Sequence, residues 1–250
     1  MNHPALDIHD VSVSYGSVRA LNHASLQLNP GVVCGLVGMN GSGKSSLFKA
    51  TMGVVPCETG EVRIAGMTPE KARSAGLVSY VPQSEEIDWG FPISVREVVA
   101  MGLYGRLGFT RKLTRRCGRH IDHALEQVAL TDYAHRQIGE LSGGQRKRAF
   151  VARAIAQQAR VLLLDEPFAG VDYASEQMLG QVLRELASHG ATVLVSSHDL
   201  PPLTQMIDEA ALMRRTILMH GTPEHVLTPE NIMRAFSGQT KAQVNREFSA

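Results

Sequence analysis

Near-alternating apolar residues in the first quarter of the chain predict a small antiparallel sheet. Alternation places every second side chain on one face of a strand, as in a half-buried sheet. The pattern slips once, at residues 9–10, as it does at a β-bulge. The apolar positions are Leu6, Ile8, Val11, Val13 and Tyr15, then Leu26 and Leu28, then Val62 and Ile64.

Four short, mostly apolar runs predict buried strands of a different kind. They cover residues 32–37, 77–81, 161–164 and 192–195. Strands that are apolar on both faces are typical of a parallel sheet with helices on each side. A helix predicted over residues 46–52, directly after the first run, agrees with this arrangement. The sequence therefore predicts an α/β fold with a mostly parallel sheet and a small antiparallel β subdomain.

Apolar spacing becomes helical between residues 88 and 140, which predicts a helical insertion in the α/β core. A basic run between its helices is either a solvated helix face or a contact for anionic lipid headgroups. Residues 223–236 are again helical in pattern, and residues 237–250 form a polar tail. The apolar positions of the insertion are Val95, Val98, Val99, Leu103, Ile121, Ala124, Leu125 and Val128, and the basic ones are Arg111, Lys112, Arg115, Arg116 and Arg119.

Composition and charge are those of a globular protein, and the length is enough for one large domain or two small ones. The 250 residues are 44% hydrophobic and 20% charged, and the net charge of +1 gives no indication of nucleic acid as a partner. No apolar run approaches the roughly 18–20 residues of a membrane span, and no signal peptide is expected at the start. The three cysteines and ten histidines lack metal-ligand spacing, which argues against a structural metal site.

Residues 38–45 carry the first candidate chemistry. They read G-M-N-G-S-G-K-S, the G-x-x-x-x-G-K-S pattern of a phosphate-binding loop. Glycines let backbone N–H groups crowd around phosphate oxygens, and the following helix directs its positive end at them. Lys44 is predicted to reach the β- and γ-phosphates, and Ser45 to ligate Mg²⁺.

Polar residues at the ends of three other predicted strands give candidate catalytic groups. Asp165 and Glu166 follow the run at 161–164; Asp165 would hold Mg²⁺, and Glu166 would accept a proton from the attacking water or orient it. Gln83 either contacts Mg²⁺ or the water, or is a solvated turn residue. His198 either donates to the γ-phosphate or is merely solvated.

Residues 141–145 read L-S-G-G-Q and precede a helix predicted over 146–158. Ser142 is a good N-cap, and the paired glycines expose backbone N–H groups at a helix start. The stretch is either a second anion site or only a capped helix. Tyr15 has two interpretations as well, since it could stack on adenine or be a plain strand aromatic.

Taken together, these motifs resemble the ATPase subunit of a bacterial ABC transporter. The L-S-G-G-Q stretch is the discriminating element, since other phosphate-loop enzymes lack it. The resemblance covers about residues 5–236 and implies one ATPase domain over 1–236. Within it, residues 1–87 and 141–222 would form the nucleotide-binding core, 88–140 the helical insertion and 223–236 a C-terminal helical segment.

The resemblance implies that two copies pack head to tail with ATP and Mg²⁺ between them. Glu166, His198, Gln83 and Lys44 would be catalytic, and Asp172 would contact the partner copy. The implied Mg²⁺ ligands are Ser45, Gln83 and Asp165. The implied nucleotide-binding residues are Tyr15, Gly38, Met39, Asn40, Gly41, Ser42, Gly43, Lys44, Ser45 and Ser46, with Ser142, Gly143, Gly144 and Gln145 from the other copy.

Two stretches of the insertion, residues 88–95 and 101–108, resemble those of ATPases from manganese and iron(II) uptake systems. Residues 220–223 do so less specifically. The implied function is metal import, with manganese first, iron second and zinc third. The subunit would lie on the cytoplasmic face of the cell membrane, on a separate permease served by a periplasmic or surface metal-binding protein.

Other functions stay open on the sequence. The chain could serve an importer of another solute, or act on a soluble machine such as the ribosome. Relatives of that second kind usually have two fused cassettes or a long coiled-coil insertion, and this chain has neither. A catalytically idle partner is disfavoured by the intact Lys44, Asp165, Glu166 and His198.

Overall fold

The computed structural model describes residues 3–83, 91–107, 113–198 and 201–236. Several predictions lie outside these ranges. They are the polar tail at 237–250, the basic residues Arg111 and Lys112, and parts of the two insertion stretches, residues 88–90 and 108.

A three-stranded antiparallel sheet forms the β subdomain, as the alternating pattern predicted. Its strands are β1 (Leu6–Tyr15), β2 (Val18–Leu28) and β4 (Thr59–Ile64), in the order β2-β1-β4. The pairing of β1 with β2 slips between Ile8 and Val11, and Asp10 has a φ of +54°. The predicted bulge is therefore present.

The core is a six-stranded sheet in which every neighbouring pair but one is parallel. Its order is β5-β6-β7-β3-β8-β9, and only the pair formed by β8 and β9 is antiparallel. The four apolar runs coincide with β3, β5, β6 and β7, whereas β8 and β9 were not predicted. The strands are β3 (Val33–Val37), β5 (Val78–Val81), β6 (Val161–Asp165), β7 (Thr192–Ser197), β8 (Glu209–Met213) and β9 (Ile217–Gly221).

Side chains from the two faces of this sheet enter two separate hydrophobic clusters. Cys34, Leu36 and Leu194 face the β subdomain, and Val33 and Val37 face the opposite layer. The helices of the nucleotide core and C-terminal part are α1 (Lys44–Thr51), α2 (Pro69–Ser74), α5 (Gly143–Ala156), α6 (Tyr173–Ser188), α7 (Pro201–Thr204), α8 (Pro223–Val226) and α9 (Pro229–Phe236).

The insertion is helical, with α3 (Val95–Met101), α4 (Arg115–Gln127) and three short 3₁₀ turns. All eight of its predicted apolar positions are buried, at 4% exposure or less. They pack against α5, so the insertion shares a core with the sheet layer rather than forming a separate unit.

Two helices begin earlier than the sequence predicted. The first, α1, begins at Lys44 rather than residue 46, and α5 begins at Gly143 rather than residue 146. At α5 the reason is a capping box, in which Ser142 Oγ accepts from the N–H of Gln145 and Gln145 Oε1 accepts from the N–H of Ser142. The paired glycines therefore form the first turn of the helix instead of a loop before it.

Candidate active site

The loop between β3 and α1, residues 38–45, has a backbone that requires glycine. A Cβ at Gly38 would lie 2.5 Å from the carbonyl oxygen of Met213 and 2.6 Å from Ser42 Oγ. Gly43 has a φ of +103°, where side chains are disfavoured. Ser42 N–H donates to the Met39 carbonyl at 3.0 Å and closes the turn. The result is a cradle lined by backbone.

The start of α1 fits a phosphate group. Its N-cap, Gly43, offers no side-chain hydrogen bond, and its first turn contains no acidic residue. Helix-start N–H groups need acceptors, and they carry the positive end of the helix dipole. An anion would supply both the missing acceptors and the compensating charge.

The side chain of Lys44 lies inside this cradle. Its ammonium donates to the carbonyls of Gly38 at 2.7 Å and Met39 at 3.2 Å, and lies 3.7 Å from Glu166 Oε1. Burial lowers the pKa of Lys44, and the negative charges of Glu166 and Asp165 oppose that shift. The loop thus holds a desolvated cation beside the carboxylates.

Glu166 is the most constrained of the candidate residues. It is only 5% exposed and has a φ of +50°, which is unusual for a residue other than glycine. Its side chain meets Gln83 Nε2 at 3.0 Å, His198 Nδ1 at 3.1 Å and the Lys44 ammonium. Gln83 and His198, which the sequence placed at separate strand ends, therefore converge with Lys44 of the loop on this carboxylate.

A hydrogen bond from Ser196 holds the carboxylate of Asp165 in place. Asp165 is 2% exposed, and its Oδ1 accepts from Ser196 Oγ at 2.5 Å, while Tyr80 Oη lies 3.4 Å from Oδ2. Ser196 Oγ also accepts from the backbone N–H of Glu166 at 3.0 Å. One hydroxyl on β7 therefore contacts both Asp165 at the end of β6 and Glu166 directly after it.

A cavity of about 490 Å³ opens beside the loop. Tyr15 lies at its wall with 46% of its surface exposed. Four residues of its lining were not predicted: Val18, Arg19, Ala20 and Arg215. The predicted residues that line it are Tyr15, Met39, Asn40, Gly41, Gly43, Lys44, Ser45, Ser46, Gln83 and Glu166.

The L-S-G-G-Q stretch does not join that cavity. Among the described residues, Ser142 to Gln145 contribute nothing to the lining beside Lys44. Ser142 and Gly143 are exposed, and a Cβ at Gly143 would meet no atom within 4 Å. The second helix start in this chain is thus open to another molecule.

Asp172 has a local function in the fold. It is the N-cap of α6, where its carboxylate accepts from the N–H of Ser175 at 2.9 Å and from Ser175 Oγ at 2.8 Å. These bonds lower its pKa. A Cβ at Gly144 would lie 3.7 Å from Asp172 Oδ2, so the cap adjoins the start of α5.

Sequence reasoning missed Ser196, Lys147 and Arg215. Ser196 could have been found, because it ends a buried apolar run at the same sheet edge as Asp165. Lys147 donates to the backbone carbonyls of Glu166 and Ala169, a tertiary contact with no sequence signal. Arg215 lies in the turn between β8 and β9, so finding it required predicting that hairpin.

Comparison with known proteins gives the family of this chain. The ABC transporter family model matches residues 21–169, more than half of the chain. The chain is 45% identical to the manganese transport system ATP-binding protein MntA of Synechocystis, over 98% of the chain and 95% of the relative. It is 42% identical to the chelated iron transport system membrane protein YfeB of Yersinia pestis, over 94% of the chain and 80% of that relative.

A solved ATP-binding cassette of an ABC transporter, MJ1267 in its ADP conformation, has the same fold. The TM-score is 0.81 at 24% identity, covering 94% of this chain and 99% of that one. The chain belongs to the ABC transporter family, as an ATP-binding subunit of the ABC ATPase class. Over the part of the chain that the structure describes, no helix combines the length and apolar character needed to cross a membrane.

Proposed function

We propose that this chain is the Mg²⁺-dependent ATPase subunit of an importer for a divalent transition metal ion, with manganese first, iron second and zinc third. The observation that supports manganese as the transported ion is the nearly full-length match to a subunit named for manganese transport. The relative named for chelated iron transport supports iron as the second choice.

The cavity beside the loop is the nucleotide site in this proposal. Tyr15 offers an aromatic face for adenine, and the loop N–H groups with Lys44 bind the phosphates. Bound Mg²⁺ would neutralise charge on the β- and γ-phosphates, with Ser45, Gln83 and Asp165 to hold it. Asp165 is not among the residues that line the cavity, but it directly precedes Glu166, which does line it.

Glu166 is the general base in this proposal. Its carboxylate lies at the cavity wall, where it can accept the proton of the attacking water. Gln83 contacts Oε2 and His198 contacts Oε1, so the two residues orient the carboxylate. Donation from His198 to the γ-phosphate then requires its ring to turn, or to use its other nitrogen.

The working unit is a head-to-tail dimer of this chain. One copy supplies the loop with its cavity, and the other supplies the exposed helix start at Ser142, Gly143 and Gly144. The support is that these three residues lie outside the lining of the cavity beside Lys44, and that Ser142 and Gly143 are exposed. Gly143 instead lines a smaller neighbouring cavity with Gln83 and Glu166. Two anion-binding helix starts can face each other only with a polyanion between them. Asp172, next to Gly144, would lie at the edge of this contact.

The insertion binds a separate membrane permease in this proposal, which places the subunit on the cytoplasmic face of the membrane. Phe91, Met101 and Tyr104 support this because they are 59%, 41% and 48% exposed, and such apolar side chains suit a protein partner. A periplasmic or surface metal-binding protein and the permease would select the ion, since no cargo reaches this subunit.

The test is uptake of radioactive manganese, iron(II) and zinc in cells that lack the gene or carry Lys44→Ala. We expect manganese uptake to fall, and re-expression of the unmodified gene to restore it. Unchanged uptake of all three metals, with normal protein levels, would overturn the cargo. Loss of zinc uptake alone would support the transporter assignment but reverse the proposed ranking of the three metals.

A second experiment separates transport from work on a soluble machine. The chain, extracted from membranes in detergent, should bring down an integral membrane protein. Recovery with ribosomes or with DNA-bound complexes, and none with membranes, would favour the soluble alternative. Recovery of a permease of another substrate class would support the transporter assignment and contradict the assignment of a metal as cargo.

A further inference from the structure

Three potential metal ligands that are distant in the sequence lie together on one face of the six-stranded sheet. Cys34 of β3 is paired with Glu209 of β8, and His220 of β9 is paired with Ala211, two positions beyond Glu209. Because side chains alternate along a strand, this register places all three on the same face. Their ligand atoms all lie within 4.8 Å of one another.

The three side chains match the donors that zinc and related ions take. A thiolate, an imidazole and a carboxylate bind Zn²⁺ at about 2.0–2.3 Å, and a tetrahedral site leaves a fourth position for water. The ligand atoms of such a site are roughly 3.5 Å apart, so the present set needs only small side-chain movements. His220 Nε2 already lies 2.8 Å from Glu209 Oε2.

Burial orders the three ligands from inside to outside. Cys34 is 0% exposed, whereas the side chains of Glu209 and His220 are 26% and 28% exposed. An ion would therefore enter over the carboxylate and the imidazole and meet the thiol last. Burial and the charge of Glu209 raise the pKa of the Cys34 thiol, so forming the sulfur–metal bond must expel its proton to solvent.

This cluster is separate from the nucleotide site. Cys34 lies near the start of β3, four positions before Gly38, which corresponds to about 13 Å along a strand. The donors also differ, because Mg²⁺ takes oxygen ligands and disfavours sulfur. A site with nitrogen and sulfur ligands binds Mn²⁺ with lower affinity than Zn²⁺ or Co²⁺.

We propose that Cys34, Glu209 and His220 form a binding site for one divalent transition metal ion of the zinc class. The site does not depend on which cargo the transporter carries. The sequence argued against such a site because Cys34 and His220 are far apart along the chain. Pairing of β3 with β8 and of β8 with β9 brings them together.

The test uses the purified full chain, treated with chelator and kept free of nucleotide and Mg²⁺, titrated with Co²⁺. We expect one Co²⁺ per chain, with thiolate-to-cobalt charge transfer in the near ultraviolet and intense tetrahedral bands in the visible. Addition of one equivalent of Zn²⁺ should bleach both. Cys34→Ser should abolish the charge transfer, and Glu209→Gln and His220→Asn should each weaken binding by about tenfold or more.

Cys57→Ser and Cys117→Ser are the matched controls, because they remove the other two thiols of the chain. Both should retain the full cobalt spectrum. The proposal is overturned if the unmodified chain gives no sulfur–cobalt band, or if the band survives in Cys34→Ser and vanishes in a control. Should Cys34→Ser fail to fold, unchanged affinity in both Glu209→Gln and His220→Asn overturns it equally.

Discussion

Replacement of Ser196 by alanine tests whether one hydroxyl positions both acidic residues of the site. Ser196 Oγ donates to Asp165 Oδ1 at 2.5 Å and accepts from Glu166 N–H at 3.0 Å. The bond to Asp165 involves a charged group, so its loss should cost about 1.5–3 kcal/mol of unfolding free energy. The Glu166 N–H keeps a second acceptor, the Ser196 carbonyl at 3.2 Å, so its loss should add little.

The effect on catalysis follows from the same contacts. Without the hydroxyl, Asp165 can turn, and the backbone N–H of Glu166 loses one of its two acceptors. If about 1.4 kcal/mol of this loss is felt in the transition state, ATP turnover falls roughly tenfold. The measurements are denaturant unfolding and steady-state release of inorganic phosphate by the purified chain.

Thr192→Val is the matched control for this experiment. Thr192 is a fully buried hydroxyl on the same strand, and it donates to the Asn29 carbonyl at 3.0 Å. Its removal should lower the unfolding free energy without slowing turnover, because it lies at the other end of β7. The reasoning is refuted if both variants lose stability and turnover in the same proportion, or if Ser196→Ala turns over ATP at the normal rate.

Three further predictions address the nucleotide and the dimer. Glu166→Gln should still bind ATP but hydrolyse it roughly 10²–10⁴-fold more slowly, as measured by nucleotide binding and phosphate release; near-normal turnover would remove Glu166 from the mechanism. Lys44→Ala should weaken ATP binding itself, since the desolvated cation of the loop is lost; unchanged affinity would contradict its role. Glu166→Gln with ATP should sediment as a dimer and return to monomer when Mg-ATP is removed, and adding Ser142→Arg should prevent dimerisation; persistence of the dimer would count against the shared site.

Local patterns in the sequence were sufficient for most of the fold. The four apolar runs were recognisable as strands because a strand buried on both faces of a parallel sheet reads as a nearly continuous apolar run. By contrast, β8 and β9 escaped prediction. The edge strand β9 has three apolar residues in succession, Ile217, Leu218 and Met219, whereas its burial alternates between half-buried and exposed positions. Its sequence therefore lacks the alternation that identifies a half-buried strand. The missed hairpin explains the missed Arg215 and the missed proximity of His220 to Cys34.

The candidate site was also predictable only in part. The loop and the residues at strand ends were predictable, because parallel strands deliver their C-terminal residues to one edge. Which of them would meet was not predictable, since the contacts of Gln83 and His198 with Glu166 depend on side-chain direction. Lys147 shows the limit most clearly, because its partners are backbone carbonyls, which every residue has.

At position 166 the side chain needed for activity occupies a left-handed backbone conformation that lowers stability. A residue with a side chain in this conformation costs roughly 1–2 kcal/mol relative to one in a favoured region, and glycine would relieve most of that cost. Random mutagenesis selected only for heat resistance should therefore tolerate glycine at position 166. Selection for growth that depends on the transporter should reject it. The two selections would therefore give opposite results at position 166.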